Sequence, residues 1–520
     1  MVVADNPVET NPVLLDGETV RIFDVVQVAC EHRPVALSES GWDKVRRSRA
    51  VVEAMLLGET PVYGLNTGVG SLKKFRLSTP EVEAFNRQLI TEHAVAMSET
   101  KAAREDVRAM MLVRANGMAR GGSGVRAEVV QMLLELLNRG VHPVVHPDFA
   151  SIGESDLSLM AEIGQVMLGL GQAEYGGEVL EGAEALKRAG LTPLRPQAKE
   201  GLAIISANAY TIGKGILLLH ELRKLLETTD LAAALSFEGF VSNLSILEPD
   251  VANARPFSGQ NARIENLRRL LDGSYLWQTP RNLQDPLSFR CVPQIHGACD
   301  EALRFAEVAL ERKLNSAEDN PMVSLERGIL LSNGNFDSTI TTLTLDTVRL
   351  GFNQIASVAT KRIQKLLWAE FSGLNTTLAK TPQAGEGMFL NSLGRAAVIL
   401  SAEVKLLSTP VSIVEVAELN EGIEDHTTLS PLSLRRCTEL LRVMQKIVAL
   451  ELFVAVRAIE LRGIEPGSNK RLGLGTAYAT DLIRSSCSGD KEGLECIQEF
   501  VRSGVLLAEV KALLERQNQI

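Results

Sequence analysis

Residues 150–161 read Ala150-Ser151-Ile152-Gly153-Glu154-Ser155-Asp156-Leu157-Ser158-Leu159-Met160-Ala161. Pro143 and Pro147 frame a loop that enters the stretch. Read locally, it is the start of a helix, with the side-chain oxygen of Ser151, Ser155 or Asp156 available as the cap. The polar triplet Glu154-Ser155-Asp156 lies at the centre of this entry, and the surrounding chain gives it its meaning.

Beyond about residue 200, apolar residues recur at helical spacing over 213–228, 300–314, 342–368, 394–407 and 431–462. Several of these runs exceed the usual ten to fourteen residues, which predicts a bundle of nearly antiparallel long helices. Before residue 200 the chain is more broken, with glycine clusters at 64–70 and 117–124. The expected fold is mainly α. A loop-rich N-terminal region over 1–200 carries the chemistry, and a long-helix bundle occupies 201–520.

The 520 residues are 45% hydrophobic and 23% charged, as in an ordinary globular protein with a large core. A net charge of −10 gives no footprint for nucleic acid or an anionic membrane. The N-terminus has no basic stretch ahead of an apolar run, and apolar stretches such as Gly215 to Leu219 are soon interrupted by charge. The six cysteines have neither CxxC nor zinc spacing, so reduced buried thiols, no metal and a cytoplasmic location are expected.

Other segments share the weight with the central triplet. Tyr63-Gly64-Leu65-Asn66-Thr67-Gly68-Val69-Gly70 is a glycine-rich turn bearing an aromatic residue, without the GxxxxGK[ST] pattern of a phosphate cradle. Asn86 to Ala94 contains His93. Gln284-Asp285-Pro286-Leu287-Ser288-Phe289-Arg290-Cys291 holds an arginine suited to a carboxylate, and Glu424-Asp425-His426 closes the set.

In this order the segments resemble those of the histidine and phenylalanine ammonia-lyase family over roughly residues 55 to 440. In that family the first stretch reads about Gly-Ser-Val-Gly-Ala-Ser-Gly-Asp-Leu, and its Ala-Ser-Gly cyclises into an electrophilic methylideneimidazolone. Aspartate in place of the glycine obstructs the compressed turn that ring closure needs; if a residue is instead deleted, Asp156 matches the family's Asp and the glycine is absent. No cofactor is therefore expected. The resemblance implies that Tyr63 is the catalytic base, that His93 and Phe336 line the substrate pocket, that Arg290 holds the substrate carboxylate, and that Glu424 contacts the ring. Gln284, Asn335 and Ser155 fall on substrate-binding segments. A tyrosine with an ordinary pKa near 10 needs a nearby cation or polarising donors to act as base. Lys380 is the candidate ammonium, and Glu386 or Glu415 are possible acidic partners.

Three departures accompany the altered triplet. Ser206 replaces an asparagine that hydrogen-bonds the prosthetic group, Leu287 replaces a tyrosine beside it, and Ile423 replaces a nearby glutamine. Positions that grip substrate are kept, while positions that serve the electrophile are changed. This pattern resembles the ergothionase branch of the family, which works without the prosthetic group. The function it implies is elimination of trimethylamine from ergothioneine, a thiolated histidine betaine, to give thiourocanate. The alternatives are an ammonia-lyase or aminomutase with an unorthodox electrophile, and a non-catalytic homologue. The family's homotetramer with shared active sites is the implied assembly, and a small amino-acid-derived molecule the implied partner.

Overall fold

The computed structural model describes residues 11–58, 60–278, 281–381, 383, 387–464 and 470–517. Glu386, weighed above as a partner for Lys380, lies outside the described residues. Long helices run Ala209–Phe240, Val292–Leu314, Thr339–Leu367, Met388–Leu407 and Ser430–Leu461, so the protein is mainly α, as its periodicity predicts. In the last of these, Leu440, Met444, Ile447, Val448, Leu452 and Ala455 are buried, following the three-to-four spacing that puts side chains on one helix face. Strands among the described residues are short. Val13–Leu15 pairs in parallel with Val35–Leu37, Gln172–Tyr175 is flanked by His142–Pro143 and Glu178–Glu181, and Met322–Ser324 forms a hairpin with Ile329–Leu331.

The chain divides into two compact units, each gathered from separate stretches: residues 1–220, 307–343 and 411–434 in the first, and 221–306, 344–410 and 435–520 in the second. In the first unit the helix Thr79–His93 packs against Leu157–Met167 and Glu200–Ile205. The approach is close enough that a Cβ on Gly201 would stand 2.2 Å from the Asn86 carbonyl oxygen. Asn86 also accepts the Gly201 N–H at 2.8 Å through its side chain, which locks the two helices in register. Deeper in this unit Arg114 pairs with Asp319 at 2.7 Å, both buried.

The second unit is pinned by buried charge. Glu451 receives Arg362 at 2.6 Å and the Ser236 hydroxyl at 2.8 Å, so one carboxylate ties together three long helices. Asp230 likewise takes His296 at 2.8 Å and Arg263 at 3.0 Å. Such groups are strongly destabilising when one partner is removed, because the other is left charged and dry.

The run Glu200–Phe240 contains a window of mean hydropathy 1.5, long and apolar enough to cross a membrane, yet 89% of that window is buried inside the fold. Its apolarity is that of a core helix. The expectation of reduced cysteines needs a correction. Cys487 and Cys496 form a disulfide, because the short connection between Leu474–Ser486 and Lys491–Ser503 brings their Cα atoms to 5.4 Å. Cys299 and Cys437 are free and buried, whereas Cys30 is exposed.

Candidate active site

Tyr63 sits at the start of the glycine-rich loop, anchored from below by the fully buried Leu65 against Val52, Val82, Ala198 and Val323. The loop curls so that the Gly70 N–H donates to the Tyr63 hydroxyl at 2.9 Å. Gly70 is obligatory: its φ is +57°, and a Cβ there would lie 2.2 Å from the Asn420 side chain. Asn420 in turn accepts the Ser71 N–H at 3.2 Å and donates to Glu424 at 3.1 Å. The loop and the 419–424 turn thus bring Tyr63 and Glu424 into one neighbourhood. Burial pushes the Tyr63 phenol above its ordinary value; the Gly70 N–H opposes this, and the Glu424 charge adds to it. Within its own unit, then, Tyr63 meets an anion where activation calls for a cation.

The central stretch is clamped on every side. Ser338 and Thr428 both donate to the Gly153 carbonyl, Thr428 at 3.0 Å, and Ser338 also contacts Ser430 at 2.7 Å. The Leu429 N–H donates to Ile152 O at 2.8 Å. Ser155 is buried with φ +78°, a conformation natural to glycine, and its N–H is held by Asn208 Oδ1 at 3.1 Å. Asp156 then opens the helix Leu157–Met167. Its carboxylate takes the Thr211 N–H at 2.8 Å and hydroxyl at 3.0 Å, and burial raises its pKa to about 6. Of the three proposed caps Asp156 is the one in place, although its backbone carbonyl rather than its side chain receives the Met160 N–H.

These contacts bear directly on the family's prosthetic group. Ring closure needs the amide nitrogen after Ser155 to attack the Glu154 carbonyl. That nitrogen belongs to Asp156 and donates to Ala207 O at 2.9 Å, on a residue whose side chain is fully buried and bonded. The Cβ, the helix start and the carboxylate contacts would all have to be undone, so the residues present do not fit a methylideneimidazolone.

Glu154 itself is half-buried and bridged through its backbone to Asp337. Its Oε1 is shielded and has no hydrogen-bond partner. Burial raises its pKa to about 8, Asp337 and Glu424 reinforce the rise, and Lys313 opposes it. Carboxylate oxygens of Glu154 and Asp337 and a ring nitrogen of His426 all lie within 4.8 Å of one another. Lys313 bonds the Asp337 carbonyl at 2.9 Å and pairs with Glu318. Glu318 accepts the Asn208 N–H at 2.8 Å. Asn208 also donates to the Phe336 carbonyl, which places Phe336 beside Ser155's support. Asn335 is exposed, tied to Asn333 Oδ1 at 2.9 Å.

Of the other expected residues, His93 ends its helix with Nδ1–H donating to Leu89 O at 2.7 Å. Gln284 and Arg290 lie in the second unit, where they share a cavity of about 240 Å³ with Asn243, Ser245 and Asp285. Arg290 Nε is buried there without a partner. Lys380 is exposed, just after the turn Thr376–Leu378. Leu287 and Ile423 are exposed, and Ser206 is buried in the turn ahead of Ala209–Phe240. Sequence reasoning missed Asn208, Glu318, Lys313 and Asp337. The signal for the first was an asparagine two positions past Ser206.

The pattern of the family described as "Aromatic amino acid lyase" matches residues 20–485. Histidine ammonia-lyases of Myxococcus xanthus and Gloeobacter violaceus are 34% and 36% identical, over 96% and 98% of this chain and 98% and 99% of theirs. Among crystal structures, the ergothioneine-degrading enzyme ergothionase of Treponema denticola superposes with a TM-score of 0.91 at 29% identity, over 96% of this chain and all of that one. Histidine ammonia-lyase of Trypanosoma cruzi gives 0.86 at 26%, over 97% and 96%. With the family pattern spanning most of its length and relatives above 30% identity over nearly all of it, the chain belongs to the aromatic amino acid lyase family of carbon–nitrogen lyases.

Proposed function

We propose that this enzyme eliminates trimethylamine from ergothioneine to give thiourocanate, without a methylideneimidazolone. The observation that carries the reading is the blocked triplet, with Asp156 bonded at both its amide and its carboxylate in a site that keeps Tyr63 beside Glu424. Likeness to ergothionase supports it.

An unactivated α-amine leaves poorly, and the β-proton is barely acidic; the electrophile exists to solve both difficulties. A quaternary ammonium needs no such help, since it departs as a neutral amine. Tyr63 takes the β-proton, the C–H electron pair becomes the new C=C bond, and the C–N pair leaves on nitrogen. The substrate's permanent positive charge is itself a cation that favours the Tyr63 phenolate. Glu424 or Lys380 polarises the thioimidazole so that it accepts electron density, and His93 Nε2 faces the ring. Arg290 and Gln284 hold the carboxylate, while Asn335, Phe336 and Ser155 line the pocket. A homotetramer with shared sites completes the reading.

The test is incubation of the purified protein with ergothioneine. Trimethylamine should be released together with a new conjugated ultraviolet chromophore; untouched ergothioneine and deaminated histidine would overturn the proposal. A second reading, an ammonia-lyase with an unorthodox electrophile, is favoured by the relatives named histidine ammonia-lyase. It requires the intact mass to fall by two waters.

A further inference from the structure

We infer that Glu154 is the residue that receives the cationic ammonium of the substrate, at the point where the family otherwise builds its electrophile. The inference rests on the elimination proposed above and gives a role to a side chain that this elimination leaves unused.

Glu154 cannot wander. Its neighbours Gly153 and Ser155 are buried and clamped by Ser338, Thr428 and Asn208, and its own backbone is bridged to Asp337. Held this way, its half-buried carboxyl keeps one oxygen shielded and without a hydrogen-bond partner. That is what a trimethylammonium requires. The group has no N–H to donate, so it is held by charge and close C–H contact, whereas a primary ammonium would demand several acceptors at hydrogen-bond distance. The surrounding charge agrees. Asp337, Glu424 and Glu318 face Glu154; Lys313 is committed to Glu318 and to main-chain carbonyls; His426 leans on Asp337 at 3.3 Å and is otherwise exposed. The balance is negative, and an organic cation would offset it.

Two consequences follow. With its pKa near 8 in the free enzyme, Glu154 is mostly protonated at pH 7, and a cation beside it draws the proton off. Next, the ammonium loses its charge as the C–N bond breaks, so the attraction is stronger before the transition state than in it. Glu154 therefore governs KM and not kcat.

The experiment uses Glu154→Gln, which copies the neutral carboxyl and so keeps the fold. Its KM for ergothioneine should rise about 10–100-fold, the worth of a charge-assisted contact, with kcat equal or higher. An unchanged KM, or a kcat lost at constant KM, overturns the inference. Calorimetry of ergothioneine binding to Tyr63→Phe protein, in buffers of different ionisation heat, should show about one proton released at pH 7. No release should occur when Glu154→Gln is added. These titrations also separate the two claims. Betaine binding with Glu154-dependent proton release, but no turnover by the wild type, sinks the elimination and keeps Glu154; turnover without such release does the reverse. Activity removed by EDTA and restored by a divalent metal would overturn Glu154 as the ammonium's partner.

Discussion

Tyr63 and Ser155 show how much of this site is decided one residue at a time. Ser155 occupies a left-handed conformation that costs a non-glycine residue about 1 kcal/mol, and the hydrogen bond from its N–H to Asn208 offsets that cost. A serine is thus kept where glycine would be easier. In the proposed elimination Tyr63 takes the proton, and its environment fixes the sign of its pH dependence. Burial and Glu424 hold its pKa above the usual tyrosine value, so the basic phenolate grows with pH across the whole neutral and mildly alkaline range. Turnover per substrate, kcat/KM, should therefore climb from pH 7 to 9 in the wild type. Tyr63→Phe should lose about 10²–10⁴-fold in kcat and flatten that climb, as expected when a general base is removed. A Phe variant with the same profile would remove Tyr63 from the proton transfer.

At the scale of elements, the segment 151–156 is stitched to the start of one long helix and the approach to another. Ser338 sits at the junction, one residue ahead of Thr339–Leu367, and its hydroxyl reaches the Gly153 carbonyl, Thr428 and Ser430. Ser338→Ala leaves that buried carbonyl with Thr428 alone and should cost about 1–3 kcal/mol, read as a lower urea midpoint at unchanged slope. An unaltered midpoint would mean that the clamp is redundant. The long helices were legible in the sequence because their signal is local: apolar residues three and four apart report a face whatever it packs on. The clamp was not. Ser155 and Asn208 are 53 residues apart, and Gly153 and Thr428 are 275 apart, so no spacing rule pairs them. The asparagine at 208, two positions past Ser206, gave no local sign of this contact, which it makes just ahead of Ala209–Phe240. The disulfide escaped because only the turn between two helices brings Cys487 to Cys496.

At the scale of the whole molecule, the second unit leaves much apolar surface in water. On Met388–Leu407, Ile399 is 70% and Leu406 69% exposed, two turns apart on one stripe. Burying such a side chain is worth about 1.5–3 kcal/mol, and large exposed apolar patches mark association sites. A second copy of the chain is the expected cover, and the homotetramer that the family resemblance implies would be four chains of 56.5 kDa, to be read by native mass spectrometry. Charge on the stripe separates assembly from folding. Ile399→Glu with Leu406→Glu replaces surface residues, so helicity by circular dichroism should persist while the assembly falls to smaller species. If the active site is shared between copies, as the anionic surroundings of Tyr63 within its own unit suggest, trimethylamine release should fall with it. A dissociated variant that keeps full activity would place every catalytic group in a single chain, and Tyr63 would then have to find its activating cation there or in the substrate alone.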